Sequence, residues 1–407
     1  MGTAETIAAL GEFEHRGAGS DAERRCALWL ADELRTPQRD AGVESFWCRP
    51  NWALATVWHV AAALAGSLIS VHSPKVGGAL ILLALVLLAL DGVTGRSLGR
   101  RLTPERASQN VVSRPAGETE NVRLIVTANY DAGRTGLVYR EPLRRFSASA
   151  RRLTGGVVPG WLGWMAIAFL WLLATAVLRS QGAAGSALGI AQVIPTAGLV
   201  LALALLLELA TSAFGPAAGD NASGVAVAVA LARALDVAPP RRLSVEVVLQ
   251  GAGDGAMIGL NRYLRRHRRE LKPSKAVVLG IGPCGGGDPV WWTSDGPLIT
   301  LRYLPRLAGI AARATGPGTD LDARPHSGRG MAPAYPGRFA GLPAIAIGCL
   351  DDRGLVPRSH QRGDLPEAVD RDSVDRLLAL ALTLVDAIDA DLRPSASDRS
   401  AAAPAAA

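Results

Sequence analysis

Hydrophobic positions follow two different rhythms along the chain. In four stretches they run almost without interruption. Trp52 to Ser70 holds about 19 residues with no formal charge, enough to cross a hydrocarbon core. The polar turn His72-Ser-Pro-Lys75 leads to Val76 to Leu90, about 15 residues or roughly 22 Å of helix, which suffices as the return arm of a hairpin. Trp161 to Leu178 and Ala187 to Leu207 form a second pair, with a kink expected at Pro195. Trp161 and Trp164 sit at one end of it, where interfacial aromatics are found. A soluble core helix is the alternative for any one run. Four runs in two close pairs predict two transmembrane helical hairpins, inserted over residues 49–104 and 135–212.

Elsewhere apolar residues come in short runs and helical stripes. A helical region, Glu5 to Leu34, is interrupted at His15 to Asp21. Val43 to Arg49, Asn110 to Arg114 and Val122 to Ala128 read as strands. Helix Val225 to Leu235, strand Leu243 to Leu249, helix Ala256 to Leu271 and strand Lys275 to Ile281 follow. A helix near Leu298 to Ala314, an irregular stretch rich in Gly, Pro and Arg, a buried strand Leu342 to Ile347 and a closing helix Ser373 to Leu392 complete the order. This alternation predicts an α/β domain, three layers around a mostly parallel central sheet, assembled from residues 1–48, 105–134 and 213–393. The tail 394–407, almost all Ala, Ser and Pro, reads as disordered.

Composition and charge add a setting. Of 407 residues 49% are hydrophobic and 19% charged, which argues against a fully soluble chain. The net charge of +7 is mostly arginine, without the interleaved aromatics that single-strand nucleic-acid binding needs, so no nucleic-acid partner is expected. Arg96, Arg100, Arg101 and Arg106 follow the second apolar run, and Arg140, Arg144, Arg145, Arg151 and Arg152 precede the third. The hairpin tips hold only Lys75 and Arg179. Positively charged loops stay in the cytoplasm, so all polar segments are expected there. The Ala, Arg and Gly bias points to a bacterial inner membrane. The four cysteines are far apart, fit neither a zinc ribbon nor a disulfide ladder, and suit a reducing compartment. Met1 to Thr6 matches a myristoylation pattern, taken as chance, and no basic n-region marks a cleavable signal peptide. His59 and Gln192 lie inside spans, where such side chains more often satisfy a neighbouring helix than conduct protons. The basic run Arg262 to Arg269 reads as a solvated helix face, with anionic lipid as the alternative.

Candidate chemistry belongs beyond the carboxyl ends of the strands, where such sheets bind ligands. Asp220 lies on the Gly- and Pro-containing loop Phe214 to Gly224, which opens into a helix that Ser223 or Asn221 can cap. An aspartate there can hold a metal or an activated water, or serve only the turn. The other loops are Asn129-Tyr-Asp131, Gly251-Ala-Gly-Asp254, and Ser359-His360 with Asp364. Together with Arg16-Gly-Ala-Gly-Ser20, Asn110-Val-Val112, Asp220-Asn-Ala-Ser-Gly224, Gly259 and Gly280, these segments occur in the order found in the zinc-dependent aminopeptidase family that includes bacterial leucyl aminopeptidases and glutaminyl cyclases. The chain resembles that family over roughly residues 5–48, 105–134 and 213–393.

The resemblance implies a two-zinc site bridged by Asp220. One zinc would need a histidine and an aspartate where this chain has Asn129 and Gly280, so that ion is expected to be absent. The other would take Asp254 and His360 besides Asp220, one nitrogen and two carboxylates, the ligand count of a catalytic zinc. Asp254 stands where the family has the longer glutamate, a deficit of roughly 1.5 Å. The family's general base falls on Gly253, and losing such a group typically costs about 10²–10⁴-fold in rate. Asp254 can serve as ligand or as base, not both. Asp131 loses a ligand histidine to orient, His326 and Cys284 fall in pocket-side loops, and Asn221 neighbours the bridging position. The resulting expectation is a membrane-anchored, degenerate peptidase holding one zinc or none, which binds a peptide, an amine ligand or a partner protein. A mono-zinc hydrolase and a membrane scaffold or transport accessory are the alternatives.

Overall fold

A computed structural model describes residues 1–117, 121–153, 159–316 and 321–392. The tail 394–407 lies outside the described residues. In chain order the elements are α1 (Thr3–Gly11), α2 (Asp21–Leu34), β1 (Arg39–Cys48), α3 (Trp52–Ser70), α4 (Pro74–Thr94), α5 (Leu98–Arg101), β2 (Arg106–Pro115) and β3 (Val122–Asn129). Next come α6 (Glu141–Leu153), α7 (Trp161–Ser180), α8 (Ser186–Thr211), α9 (Ser223–Val237), β4 (Leu243–Gln250), α10 (Ile258–Arg266), β5 (Ala276–Ile281) and β6 (Asp288–Asp295). The last are β7 (Leu301–Arg302), α11 (Pro305–Ala314), β8 (Arg324–Ser327), α12 (Tyr335–Phe339), β9 (Ala344–Leu350) and α13 (Arg371–Asp391).

The strands form one sheet in the order β1-β2-β4-β3-β5-β9-β6-β7, with β8 paired to β6. The inner strands β4, β3, β5 and β9 are parallel, as their near-continuous apolar sequences require when both faces are covered. The expectation of a mostly parallel sheet needs correcting: four of the strand pairs are antiparallel, on both flanks. β6 follows β5, and β7 follows β6, with no helix in either connection, so β6 runs against β9 and β7 against β6; β8, which α11 separates from β6, pairs with it in parallel. Helices α1, α2, α9, α11 and α13 cover one face through a core that includes Leu30, Val227, Leu279 and Leu384. On the other face α10 and α12 pack through Leu260, Tyr263, Val278 and Ala346.

Three element expectations shift for local reasons. The helix expected from Ala256 to Leu271 is shorter because Met257, at φ 46°, turns the chain into it and His267 ends it. The helix expected from Leu298 begins only at Pro305, whose fixed φ suits a first turn. The irregular stretch contains β8, too short to show a period.

Helices α3, α4, α7 and α8 are long and apolar enough to cross a membrane. They pack in the cyclic order α3-α4-α7-α8, so the two hairpins form one bundle. Pro195 lies inside α8 without breaking it. Gln192 donates to the carbonyl and hydroxyl of Ser67 and to the hydroxyl of Ser70, and accepts from Arg179, joining α8 to α3 and α7. His59 departs from the expectation of a satisfied polar residue: it is buried, and neither ring nitrogen has a hydrogen-bond partner among the described residues. At the bundle end nearest the sheet, Trp52 meets Trp161 with ring centres 4.9 Å apart, and Arg100 holds the buried Asp91 through two hydrogen bonds of 2.7 and 2.9 Å.

Candidate functional site

Four loops converge beyond the carboxyl ends of the parallel strands. Asp220 sits in a π-helical turn, Ala218–Ala222, that runs straight into α9. This turn removes the need for a side-chain cap: among the described residues no side chain caps α9. Ser223 instead donates to the Gly219 carbonyl and accepts from the Cys284 amide, and Asn221 donates to the Asp131 carbonyl. The carboxylate of Asp364 ties down the turn by accepting from the amides of Gly219 and Asp220 at 2.8 and 3.0 Å. Burial and the neighbouring Asp220 push the Asp364 carboxyl up to about 7.

Arg16 supports the same turn from behind. It is 1% exposed, and its guanidinium donates to the carbonyls of Tyr130, Leu10, Pro216 and Ala217 at 2.7–3.1 Å. Asp131 braces the opposite loop, accepting from the amides of Gly253 at 2.9 Å and Asp254 at 3.2 Å. Burial, then the charges of Glu23 and Asp254, push its carboxyl well above the usual range. Its role here is therefore to shape a loop, which a ligand histidine is not needed for.

These supports bring Asp220, Asp254 and His360 together. The His360 Nε2 lies 3.5 Å from Asp254 Oδ1 and 3.7 Å from Asp220 Oδ2, while Nδ1 lies 2.9 Å from the Arg134 carbonyl. His360 has φ 58°, a strained conformation for a non-glycine residue and one that clusters at functional sites. Its ring stacks on Tyr139 with centres 4.1 Å apart and planes at 10°. Burial opposes a charge on the ring, but Asp254, Asp220 and the Arg134 carbonyl outweigh it and raise the imidazole's pKa. Burial raises the Asp254 carboxyl, against the attraction of His360.

Two ligands on one tetrahedral zinc stand about 3.4 Å apart, from bond lengths of roughly 2.0–2.2 Å. The two His360 distances come close to that edge. The Asp220 oxygen nearest the imidazole also accepts the Ser359 hydroxyl at 2.7 Å. Among the described residues, no three His, Cys, Asp or Glu side chains form a group that could hold a metal ion. As arranged, the trio is an ion-pair cluster whose spacing approaches, without reaching, that of ligands on one zinc.

The positions that differ from the family pattern are filled from within the chain. Asn129 ends β3, and its Oδ1 is buried without a hydrogen-bond partner among the described residues. A Cβ at Gly253 would stand 2.5 Å from that oxygen and 2.6 Å from its carbon. Asn129 thus occupies the space into which a side chain at 253 would grow. At Gly280 a Cβ would stand 2.8 Å from the Cβ of Ala334, against backbone that cannot yield cheaply.

A cavity of about 790 Å³ opens over the cluster and is lined by Asn129, Asp220, Asn221, Asp254 and His360, with His326 farther along. Asp131 and Cys284, both expected at the pocket, lie behind its wall. Burial pushes the Cys284 thiol up to about 12, so it is no nucleophile. Sequence reading gave no role to Arg16, Ser359 or Tyr139. For Arg16 the signal was available, a lone arginine among glycines between two helices; for Tyr139, between β3 and α6, there was none.

His326 meets Trp292 edge-on at 5.4 Å, and burial, with Arg151 and Arg324 nearby, pushes its pKa down from 6.5 to about 4. Between these values the unfolded chain binds a proton that the folded chain refuses, so stability falls as pH drops from about 6.5 towards 4. Unfolding midpoints at pH 7.5 and 4.5 should therefore differ less in His326→Phe than in the wild type. An equal difference would show that His326 does not drive this loss.

Residues 208–385 match the model for peptidase family M28. A zinc aminopeptidase from Bacillus subtilis shares the fold at a TM-score of 0.52 and 14% identity, over 94% of this chain and 93% of that one. A Zn-dependent exopeptidase from Parabacteroides distasonis does so at 0.52 and 13%, over 95% and 96%. Porphyromonas gingivalis glutaminyl cyclase does so at 0.51 and 13%, over 94% and 96%. At such identities the likeness concerns the fold. No curated protein matches the chain in sequence at a significant level.

Proposed function

We propose that this chain, which residues 208–385 place in peptidase family M28, is a membrane-anchored protein that binds a ligand in a former peptidase cleft without cleaving it. The observation that carries this reading is the packing of Asn129 against Gly253. The family's base position has no side chain, and the family's histidine position has become part of what fills its space. With no side chain at 253, Asp254 is left to take a proton from an attacking water, and in doing so it could not also serve as a metal ligand. What remains suits recognition: two carboxylates against one imidazole leave net negative charge for an amine-bearing ligand, and Tyr139 offers a ring beside it.

A second reading, a mono-zinc hydrolase on Asp220, Asp254 and His360, is favoured by the 3.5 and 3.7 Å spacings to Nε2. Metal analysis of the detergent-solubilised full chain separates the two. The binding reading expects well under one equivalent of zinc, unchanged in His360→Ala. Stoichiometric zinc that disappears in His360→Ala supports the hydrolase.

Arginine placement further supports a bacterial inner-membrane protein with its α/β domain in the cytoplasm. A tag after residue 407 should be shielded from labelling outside intact cells; labelling there would refute that orientation.

A further inference from the structure

The cleft is continuous with the helix bundle. Its lining passes from Asp220 and His360 to Leu162 and Met165 on α7 and to Ala202, Leu206 and Leu209 on α8. Ala202 stands nine residues before Thr211, the end of α8, so the apolar wall extends about 14 Å along the helix axis. If α8 spans a bilayer, that depth is within the hydrocarbon.

The lining is also cationic. Eight arginines and four aspartates face the cavity. Some of this charge is answered locally: Arg100 pairs with Asp91 and Arg49 lies 3.6 Å from Glu105. Arg96, just after α4, and Arg262 and Arg265, one turn apart on α10, are different. Among the described residues none of the three forms an ion pair with a carboxylate, although the adjacent Arg266 reaches Glu44 at 3.9 Å. Arg96 and Arg262 both repel the charge of Arg265. Three like charges gathered at the rim of an apolar cavity form a positive field that attracts an anion.

We infer that the cavity holds a phospholipid-like amphiphile, with an anionic phosphate at Arg96, Arg262 and Arg265 and an apolar chain along Leu162, Met165, Leu206 and Leu209. This goes beyond the amine-ligand reading proposed above and does not depend on it. A cavity of about 790 Å³ falls in the range that encloses a small organic ligand. An acyl chain suits its wall better than a peptide does. A peptide backbone along leucine and methionine side chains would leave amides and carbonyls unpaired, and a hydrocarbon chain has none. The basic face of α10, which the sequence alone allows to be merely solvated, acquires a partner in this arrangement.

The test uses the full chain in detergent and a fluorescent short-chain phosphatidylglycerol, followed by anisotropy. Diacylglycerol and inorganic phosphate serve as competitors that each carry half of the ligand. Phosphatidylglycerol is expected to bind saturably, to weaken with added salt, and to resist both competitors at equal concentration. The triple variant R96Q/R262Q/R265Q should bind at least about tenfold more weakly, since each basic residue near an anionic lipid contributes a severalfold gain. Ala202→Trp, which fills the apolar wall and leaves the arginines in place, should weaken the same probe. It provides a second measurement if the triple variant does not fold. Diacylglycerol competing as well as phosphatidylglycerol would overturn the headgroup assignment. Displacement by inorganic phosphate alone would overturn the chain assignment. Displacement of the probe by an apolar peptide with a free amino terminus at lower concentration than by phosphatidylglycerol would replace the lipid with a peptide. These are binding readouts, so zinc retention or hydrolysis would sink the non-cleaving role while leaving the lipid result to stand or fall separately.

Discussion

Arg16→Met will destabilise the α/β domain by about 3–5 kcal/mol. Among the described residues Arg16 makes no ion pair; its guanidinium is spent on four backbone carbonyls. Those of Tyr130 and Pro216 have no other donor among the described residues. Each buried acceptor stripped of its partner costs about 1–3 kcal/mol, and removing a buried charge returns part of the loss. The effect is local as well as global, because Tyr130 precedes Asp131 and Pro216 precedes the Asp220 turn. Arg16→Lys, with a compact ammonium in place of a planar fork, should fall between the two. Urea midpoints in detergent measure the series, and a loss below about 0.5 kcal/mol for Arg16→Met would remove Arg16 from the account of how the site is held.

The second large effect concerns Gly253→Glu, the substitution that restores the family's base in name. It will not create a peptidase, and it will destabilise the fold by about 1–3 kcal/mol, as overpacking does. Its Cβ would arrive 2.5 Å from the Asn129 Oδ1. Asn129→Ala removes that obstruction and also an unpartnered buried carbonyl oxygen. The double variant should therefore be more stable than the sum of the single changes, by a coupling of about 0.5–3 kcal/mol. Strict additivity would mean that positions 129 and 253 do not compete for one space.

That coupling marks the boundary of what the sequence could reveal. The apolar runs, the inner strands and the order of the loops were readable because hydrophobic burial and turn chemistry leave periodic or compositional traces. The residue types at 129, 253 and 280, each unlike the pattern the chain resembles, were visible in the sequence. Their relation was not: that Asn129 packs onto Gly253, and that Ala334 closes over Gly280, depends on strands and loops distant in sequence. The antiparallel flanks β1-β2-β4 and β9-β6-β7 were missed because apolar runs mark strands without marking their direction or neighbours. Tyr139 against His360, and the opening of the cleft toward α7 and α8, arise from the segment between β3 and α9, whose packing no local pattern encodes.

The same geometry explains why Asp131 remains useful where its family role has no object. Its carboxylate fixes the amides of residues 253 and 254, so it shapes the loop that brings Asp254 within 3.5 Å of His360. The supporting residues Arg16, Asp131 and Asp364 thus preserve a cleft around Asp220, Asp254 and His360, beside a position 253 that carries no side chain.

The most direct measurement is turnover of simple aminoacyl amides and esters by the purified full chain, with zinc supplied and with His360→Ala as the control. A cleft without a base at position 253 predicts no hydrolysis above the level of His360→Ala. Brisk hydrolysis that requires zinc and disappears in His360→Ala would contradict it.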